Sequence, residues 1–300
     1  MTNLKIELSV VIAASGDATS LARCLLSLKE QAGSGDTEVI VASNFNGGAK
    51  EEIERQFPFP TYLWLPAETT VPELRAQGAA RARGEIIALI EDNCFVDGRW
   101  CAEIKKAHLL PNAAIGGAVE NDSRERSFDW AVYLSDYGKY MPPLRAGETG
   151  ALPGNNLSYK RAALERMNES WEAGIFETFL NEELKRGGQK LYLAPSAIVH
   201  HRKSYDPKET VVRYYHHARG YGGMRRAGAP VLKRLVFIAG SLLLPALLPA
   251  RIALGALRKG RQTKAILRSL PHLFVLMASW SLGEFCGYVF GVGSSARMWR

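Results

Sequence analysis

Four short apolar runs, each closed by a polar turn and three of them followed by a helical stripe, occupy the first ninety residues and set the class of fold. Ile6–Ala14 is rich in Val and Ile and reads as a buried strand. Gly16-Asp17 breaks it, and Leu21, Cys24, Leu25 and Leu28 then recur at the period of a helix reaching Gln31. Gly33-Ser34-Gly35 marks a turn, Glu38–Ala42 a second strand, Lys50–Gln56 a helix and Thr61–Leu65 a third strand. Val71–Arg83 is a helix stopped by Gly84, and Glu85–Ile90 is a fourth strand running into Glu91-Asp92-Asn93. Strand and helix in alternation predict an α/β, doubly wound sheet flanked by helices. Ligands of such sheets gather at the carboxyl ends of the strands, which directs attention to Glu91-Asp92-Asn93.

Charge divides the chain. Residues 1–200 hold 21 Lys and Arg against 27 Asp and Glu, whereas residues 201–300 hold 17 against 3. The overall +8 is therefore one basic third on a mildly acidic body, a poor match to a nucleic-acid module. In the basic third, Leu235–Ala250 is uncharged for sixteen residues, about 24 Å as a helix and short of a hydrocarbon core of roughly 30 Å. Continuing through Arg251 to Leu257 reaches the required length. A second apolar stretch, Ser269–Ala296, carries Glu284 as its one acid. Arg225, Arg226, Lys233 and Arg234 precede the first stretch, and Arg258, Lys259, Arg261, Lys264 and Arg268 separate the two. A buried helical hairpin of a soluble protein is one reading, weakly favoured by Pro245 and Pro249. Membrane association is the expectation, either as a spanning pair or as helices lying in the interface. Domains are therefore expected at 1–222 and 223–300. Lys5 and the run Leu8–Ala14, preceded by Glu7, read better as a first strand than as a secretory signal, so the acidic body is expected in the cytoplasm.

Several function classes are disfavoured. Cys24, Cys94, Cys101 and Cys286 show no paired spacing, which argues against a disulfide framework or zinc ribbon. Neither a G-x-x-x-x-G-K-[ST] loop nor a G-x-G-x-x-G after the first strand is present.

An ordered set of segments resembles glycosyltransferase family 2, with its GT-A fold. Leu8-Ser9-Val10-Val11-Ile12 with Leu21–Leu28 is similar to the family's opening strand and L-x-x-C-L-x-S-L helix. Ala80–Ala88 resembles its A-x-A-x-G-E-I-I-A lead-in, and Glu91-Asp92-Asn93-Cys94 stands in the place of its acidic element. Gly154–Arg161 is similar to the acceptor-side G-x-N-x-x-x-x-R segment, Glu177–Leu180 with Leu184 and Gly188 to the E-D helix, and Ala194–His201 to the P-x-A-x-V-x-H strand. Trp280–Glu284 with Gly287-Tyr288 resembles the hydrophobic tail of a bacterial, membrane-associated subgroup. Four positions depart from the pattern. Ser43 and Asn44 stand where the family has an aspartate pair, Asn93 where a final aspartate is usual, and Phe176 where the helix pair has its first carboxylate.

The resemblance implies a mixed sheet and an inverting, metal-dependent enzyme. Such an enzyme moves a sugar from a nucleotide-sugar donor to a hydroxyl on a lipid-linked or surface-polysaccharide intermediate, at the cytoplasmic membrane face. Glu177 falls in the position of the base, although a first-turn Glu is also what a helix dipole favours. Asp92 is the candidate ligand for Mg²⁺ or Mn²⁺, with Asn93 as a neutral oxygen donor and His200 or His201 as a further ligand. Ser43, Asn44 and Glu91 are candidates for contacts to the donor. Arg213 and Arg219 suit its diphosphate, or equally an Arg- and Tyr-rich helix at a membrane surface. Asn155 and Asn156 are candidates for the acceptor, or for a turn after Pro153-Gly154, and Trp171 for sugar stacking or plain packing. The alternative function is a degenerate glycosyltransferase-like scaffold tethered to the membrane.

Overall fold

A computed structural model of the chain describes residues 5–33, 35–45, 49–167, 171 and 174–298; Ser34, expected in a turn, lies outside them. The described strands are β1 (Leu8–Ala14), β2 (Thr37–Ser43), β3 (Thr61–Trp64), β4 (Ile86–Glu91), β5 (Cys94–Val96), β6 (Ala114–Asn121), β7 (Gly147–Thr149), β8 (Asn156–Lys160) and β9 (Leu191–His201). The helices are α1 (Ala18–Ala32), α2 (Ala49–Gln56), α3 (Val71–Arg81), α4 (Trp100–Ala107), α5 (Ser127–Tyr137), α6 (Arg161–Glu165), α7 (Glu177–Arg186), α8 (Pro207–Ala227), α9 (Val231–Ser241), α10 (Leu244–Leu257) and α11 (Thr263–Phe290). They form two compact units: Met1–Glu120 with Pro142–Arg202, and Asn121–Met141 with Lys203–Arg300. The division departs from the one expected after residue 222, because α8 straddles that point and packs as a whole against α11.

The first unit is a sheet in the order β3-β2-β1-β4-β8-β6-β9-β5, with β7 beside β9. β1 lies at its heart, parallel to β2 and β4, and all seven of its residues are buried. A continuous apolar run belongs there because a strand covered on both faces has no solvent side to make polar. Each fully buried Val, Leu or Ile contributes roughly 1.5–3 kcal/mol. The sheet is mixed, since β8 runs antiparallel to β4 and β6, and β9 antiparallel to β5 and β7. α1 starts where the Asp17 carboxylate accepts from the Ser20 N–H at 2.9 Å, and α3 where Glu73 accepts from the Thr70 N–H at 2.6 Å. α3 lies close on β1: a Cβ at Gly78 would stand 2.3 Å from a methyl of Val11. That contact fixes the depth at which the preceding turn of α3, with Arg75, carries its side chains. His108 is buried against Ser158, 2.7 Å away, and burial lowers its pKa to about 3, so it is a neutral packing residue.

The second unit is helical. Phe128, Ala131 and Val132 of α5 meet Tyr214 of α8 and Leu273, Leu276 and Met277 of α11 in its core. α8 and α11 approach backbone to backbone, because a Cβ at Gly283 would stand 2.3 Å from the Tyr215 carbonyl and one at Gly287 2.4 Å from that of Arg219. Glu284 is buried, accepting from Trp280 Nε1 at 2.6 Å and the Tyr288 hydroxyl at 2.9 Å, and Arg225 donates to that hydroxyl.

The apolar stretch expected as one helix from Leu235 is broken. α9 and α10 meet at a bend of 70°. Pro245 has no N–H for the carbonyl four residues back, that of Ser241, which instead accepts from the Ser281 hydroxyl of α11. Among the described residues, α11 is by length and composition the one single helix that could cross a membrane, and the bent pair would make a second crossing if counted as one segment.

Candidate active site

The carboxyl edge of β4 delivers Glu91, Asp92 and Asn93, as the strand pattern predicts. What organises them is a residue on the neighbouring helix. Arg75 of α3 is 5% exposed and donates in three directions. Its Nη2 meets Glu91 Oε1 at 2.7 Å and the Gly154 carbonyl at 2.9 Å, while Nη1 meets Glu177 Oε2 at 2.9 Å. One buried guanidinium thus draws together a strand end, a loop and the first turn of α7, which lie far apart in sequence. A planar cation with five donors can serve two carboxylates and a carbonyl at once; a lysine cannot do so in one plane. Gly154 leaves room for this arrangement, because a Cβ there would stand 2.8 Å from Glu177 Oε1. The two carboxylates affect their neighbours: burial, then Glu177, raises the Tyr159 phenol, and burial, then Glu91, raises the Cys94 thiol.

Asp92 is 3% exposed and accepts from the Gly16 N–H at 2.6 Å. The loop after β1 therefore approaches the carboxylate without a side chain, and a Cβ at Gly16 would come within 2.9 Å of it. Asn93 donates to Glu91 at 3.4 Å and accepts from the Cys94 thiol at 3.3 Å. Asn155 donates to the same sulfur at 3.4 Å, and its Oδ1 is buried without a hydrogen-bond partner among the described residues. Through Arg75 and Cys94, Glu91, Asn93, Asn155 and Glu177 therefore form one connected constellation, and Asp92 stands between Glu91 and Asn93 in sequence, on the Gly16 N–H.

The other expected site residues are placed differently. Asn156 is a strut, its Oδ1 taken by Trp100 Nε1 at 2.9 Å and its Nδ2 by the carbonyls of Ala118 and Ala197, both at 2.8 Å. Ser43 is buried and accepts from the Phe45 N–H at 3.1 Å. Asn44 donates to the Thr69 carbonyl at 2.8 Å, tying the end of β2 to the loop before α3. Trp171 donates to the Leu164 carbonyl at 3.1 Å and packs on the core. Adjacent strand residues point to opposite faces: His201 is buried opposite Cys94, whereas His200 stacks on Phe95 and meets Asp97 at 2.9 Å. Arg213 and Arg219 lie in the second unit, the former over the Tyr205 ring and the latter donating to the Gly291 carbonyl. Among the described residues no three His, Cys, Asp or Glu side chains form a group able to hold a metal.

Arg75 is the residue the sequence reading missed. Its signal was present: it sits between Leu74 and Ala76, in a helix that also buries Gly78 and Ala79, where a charge needs a partner.

Comparison with known proteins follows the same lines. The model of a family described as glycosyl transferase family 2 matches residues 9–167, just over half of the chain. Among solved structures, the mannosyltransferase PcManGT from Pyrobaculum calidifontis, in complex with GDP-Man and Mn²⁺, is similar with a TM-score of 0.59 and 14% identity, over 95% of this chain and 87% of that one. Residues 1–349 of TarS from S. aureus are similar with a TM-score of 0.50 and 12% identity, over 92% and 91%. At these identities the likeness is one of fold. No curated protein matches by sequence.

Proposed function

The chain belongs to glycosyl transferase family 2, and from that premise we propose that it is an inverting enzyme that moves a sugar from a nucleotide donor to a hydroxyl acceptor. The observation that carries this reading is the pair of carboxylates, Glu91 and Glu177, held on one buried arginine at the carboxyl end of the parallel strands. Glu177 is the base. Arg75 holds its Oε2, so Oε1 is the oxygen that takes the acceptor's proton. As that proton leaves, the acceptor oxygen bonds to the sugar's C1, and the C1–O bond to the diphosphate breaks on the opposite face, carrying its electron pair to the leaving group. Glu91 and Asp92, at the strand ends, orient the donor.

A divalent cation suits this site only in part. Asp92 and Asn93 offer hard oxygens, but Asp92 already accepts from Gly16 and Asn93 from Cys94. Mg²⁺ or Mn²⁺ would therefore be held jointly with the donor's diphosphate rather than by the protein alone, and would neutralise charge on the leaving group. The acceptor in this reading is a lipid-linked or surface-polysaccharide intermediate at the cytoplasmic membrane face. Its support is the apolar, basic second unit.

A panel of nucleotide sugars offered to the full chain with Mg²⁺ or Mn²⁺, read as released nucleoside diphosphate, tests the proposal. One donor should be turned over and bound more tightly with the cation present. Binding without turnover of any donor, across acceptors, would favour the scaffold reading instead.

A further inference from the structure

Resting on the reading that the second unit contacts a membrane, we infer that it lies in one leaflet of an anionic bilayer, with the α9–α10 elbow as its wedge, and does not span. Three observations within that unit carry this inference.

The first concerns α11, which is long and apolar enough to cross. Of its most apolar eighteen residues, 44% are buried inside the protein. They pack against α5 and against α8, which carries Arg213, Arg219, Arg225 and Arg226. A crossing by α11 would carry those cations into hydrocarbon, where ionised groups are costly. It is the core helix of this unit.

The second concerns the elbow. Leu242, Leu243 and Leu247, at the bend and just after it, are 65%, 62% and 58% exposed. Arg251, exposed between Leu247 and Leu254, would fall inside the hydrocarbon of a spanning α9–α10 segment. In an in-plane helix it reaches the headgroups instead. An apolar groove of about 600 Å³ between α10 and α11, lined among others by Leu254, Leu270 and Phe274, offers room for a lipid chain.

The third is a tether. Lys259, just beyond α10, donates to the carbonyls of Met141 at 2.5 Å and Lys139 at 3.2 Å. Both carbonyls belong to the stretch that ends at Met141, next to Pro142 where the chain enters the first unit, so a crossing by α10 would have to take residues 139–141 across the bilayer with it.

Charge identifies the surface. Between Val231 and Arg300 the one acid is Glu284, which is buried, whereas Lys233, Arg251, Arg258, Lys264 and Arg268 are exposed. Exposed cations around an exposed apolar ridge match anionic headgroups over acyl chains.

The test uses the full chain in sealed, inverted membrane vesicles. Cys286→Ser removes the one thiol that is not buried. Thr263→Cys then reports the basic loop, and Gly150→Cys the first unit. Both should react with an impermeant maleimide before detergent is added. Labelling of Thr263→Cys only after detergent, with Gly150→Cys labelled before it, would show a crossing and overturn the in-plane arrangement while membrane contact stands. A chain that stays in the supernatant overturns both. Purified full-length protein should also bind phosphatidylglycerol-containing vesicles about ten-fold more tightly than pure phosphatidylcholine. Equal binding to the two would overturn the role given to the cations.

Discussion

The two units place charge and apolar surface in opposite ways. In the first, an arginine is buried between two carboxylates and the apolar residues fill the sheet. In the second, large apolar residues stand outside, from Val231 to Phe290, and the one acid of the last seventy residues is inside, held by Trp280 and Tyr288. A buried ion pair persists only where its hydrogen bonds offset desolvation, and an exposed apolar ridge only where something else covers it. The contrast separates a half arranged around charged chemistry from a half arranged around a surface.

The largest expected effect lies in the first unit. Glu177→Gln keeps the size of the side chain and removes its capacity to accept a proton. Turnover should fall by about 10²–10⁴-fold, with donor affinity by calorimetry nearly unchanged. A variant that keeps a third of its activity would remove Glu177 from the chemistry. Next comes Arg75→Met, which leaves Glu91 and Glu177 without their shared cation. Chemical unfolding should show a loss of about 3–5 kcal/mol, recovered in part when both glutamates are also made glutamine. An unchanged midpoint would mean that the ion pair does not organise the site.

A smaller effect should come with pH. His108 has its pKa held near 3 in the folded protein by burial, against about 6.5 when unfolded. Below pH 6.5 the unfolded chain binds a proton that the folded one refuses, so stability must fall with pH. Between pH 7 and 5 the loss from this group is about 2 kcal/mol. His108→Gln should flatten that slope in unfolding curves, whatever its own cost. Asn93→Asp adds a charged oxygen beside Asp92 and should lower the half-saturating cation concentration about ten-fold with donor present. No change would place the cation elsewhere. The smallest stability effect belongs to the second unit. The double variant Leu242→Glu, Leu247→Glu should alter unfolding by no more than about 0.5 kcal/mol, because both side chains are exposed, yet release the chain from vesicles. A large loss of stability would show that the elbow is part of a core.

Local pattern explains what could be read in advance. Strands β1 to β4 and helices α1 to α3 fall within a residue or two of their expected limits, because each is encoded in its own periodicity and in the turn residues that close it. The acidic strand end at Glu91-Asp92 was legible for the same reason, whereas the position of Glu177 at a helix start came from the family resemblance. Pattern resemblance placed Asn156 beside Asn155 as an equal, but Asn155 closes the turn before β8 while Asn156 opens the strand, and only Asn155 joins the constellation.

The chain's sequence alone determined the alternation that makes a doubly wound sheet, the acidic edge of its fourth strand, and the concentration of basic and apolar residues in its last third. Tertiary structure decided the rest. Arg75 meets a glutamate 102 positions away, residues 121–141 join the helical unit, and α9 turns into α10 because the carbonyl freed by Pro245 finds Ser281, 40 positions on. The partner in each case has no local signature, even where, as at Arg75, the need for one does. A backbone's preferences and the spacing of its apolar residues act over one or two turns, whereas a buried charge or an orphaned carbonyl takes whichever partner the packed chain brings within hydrogen-bond reach.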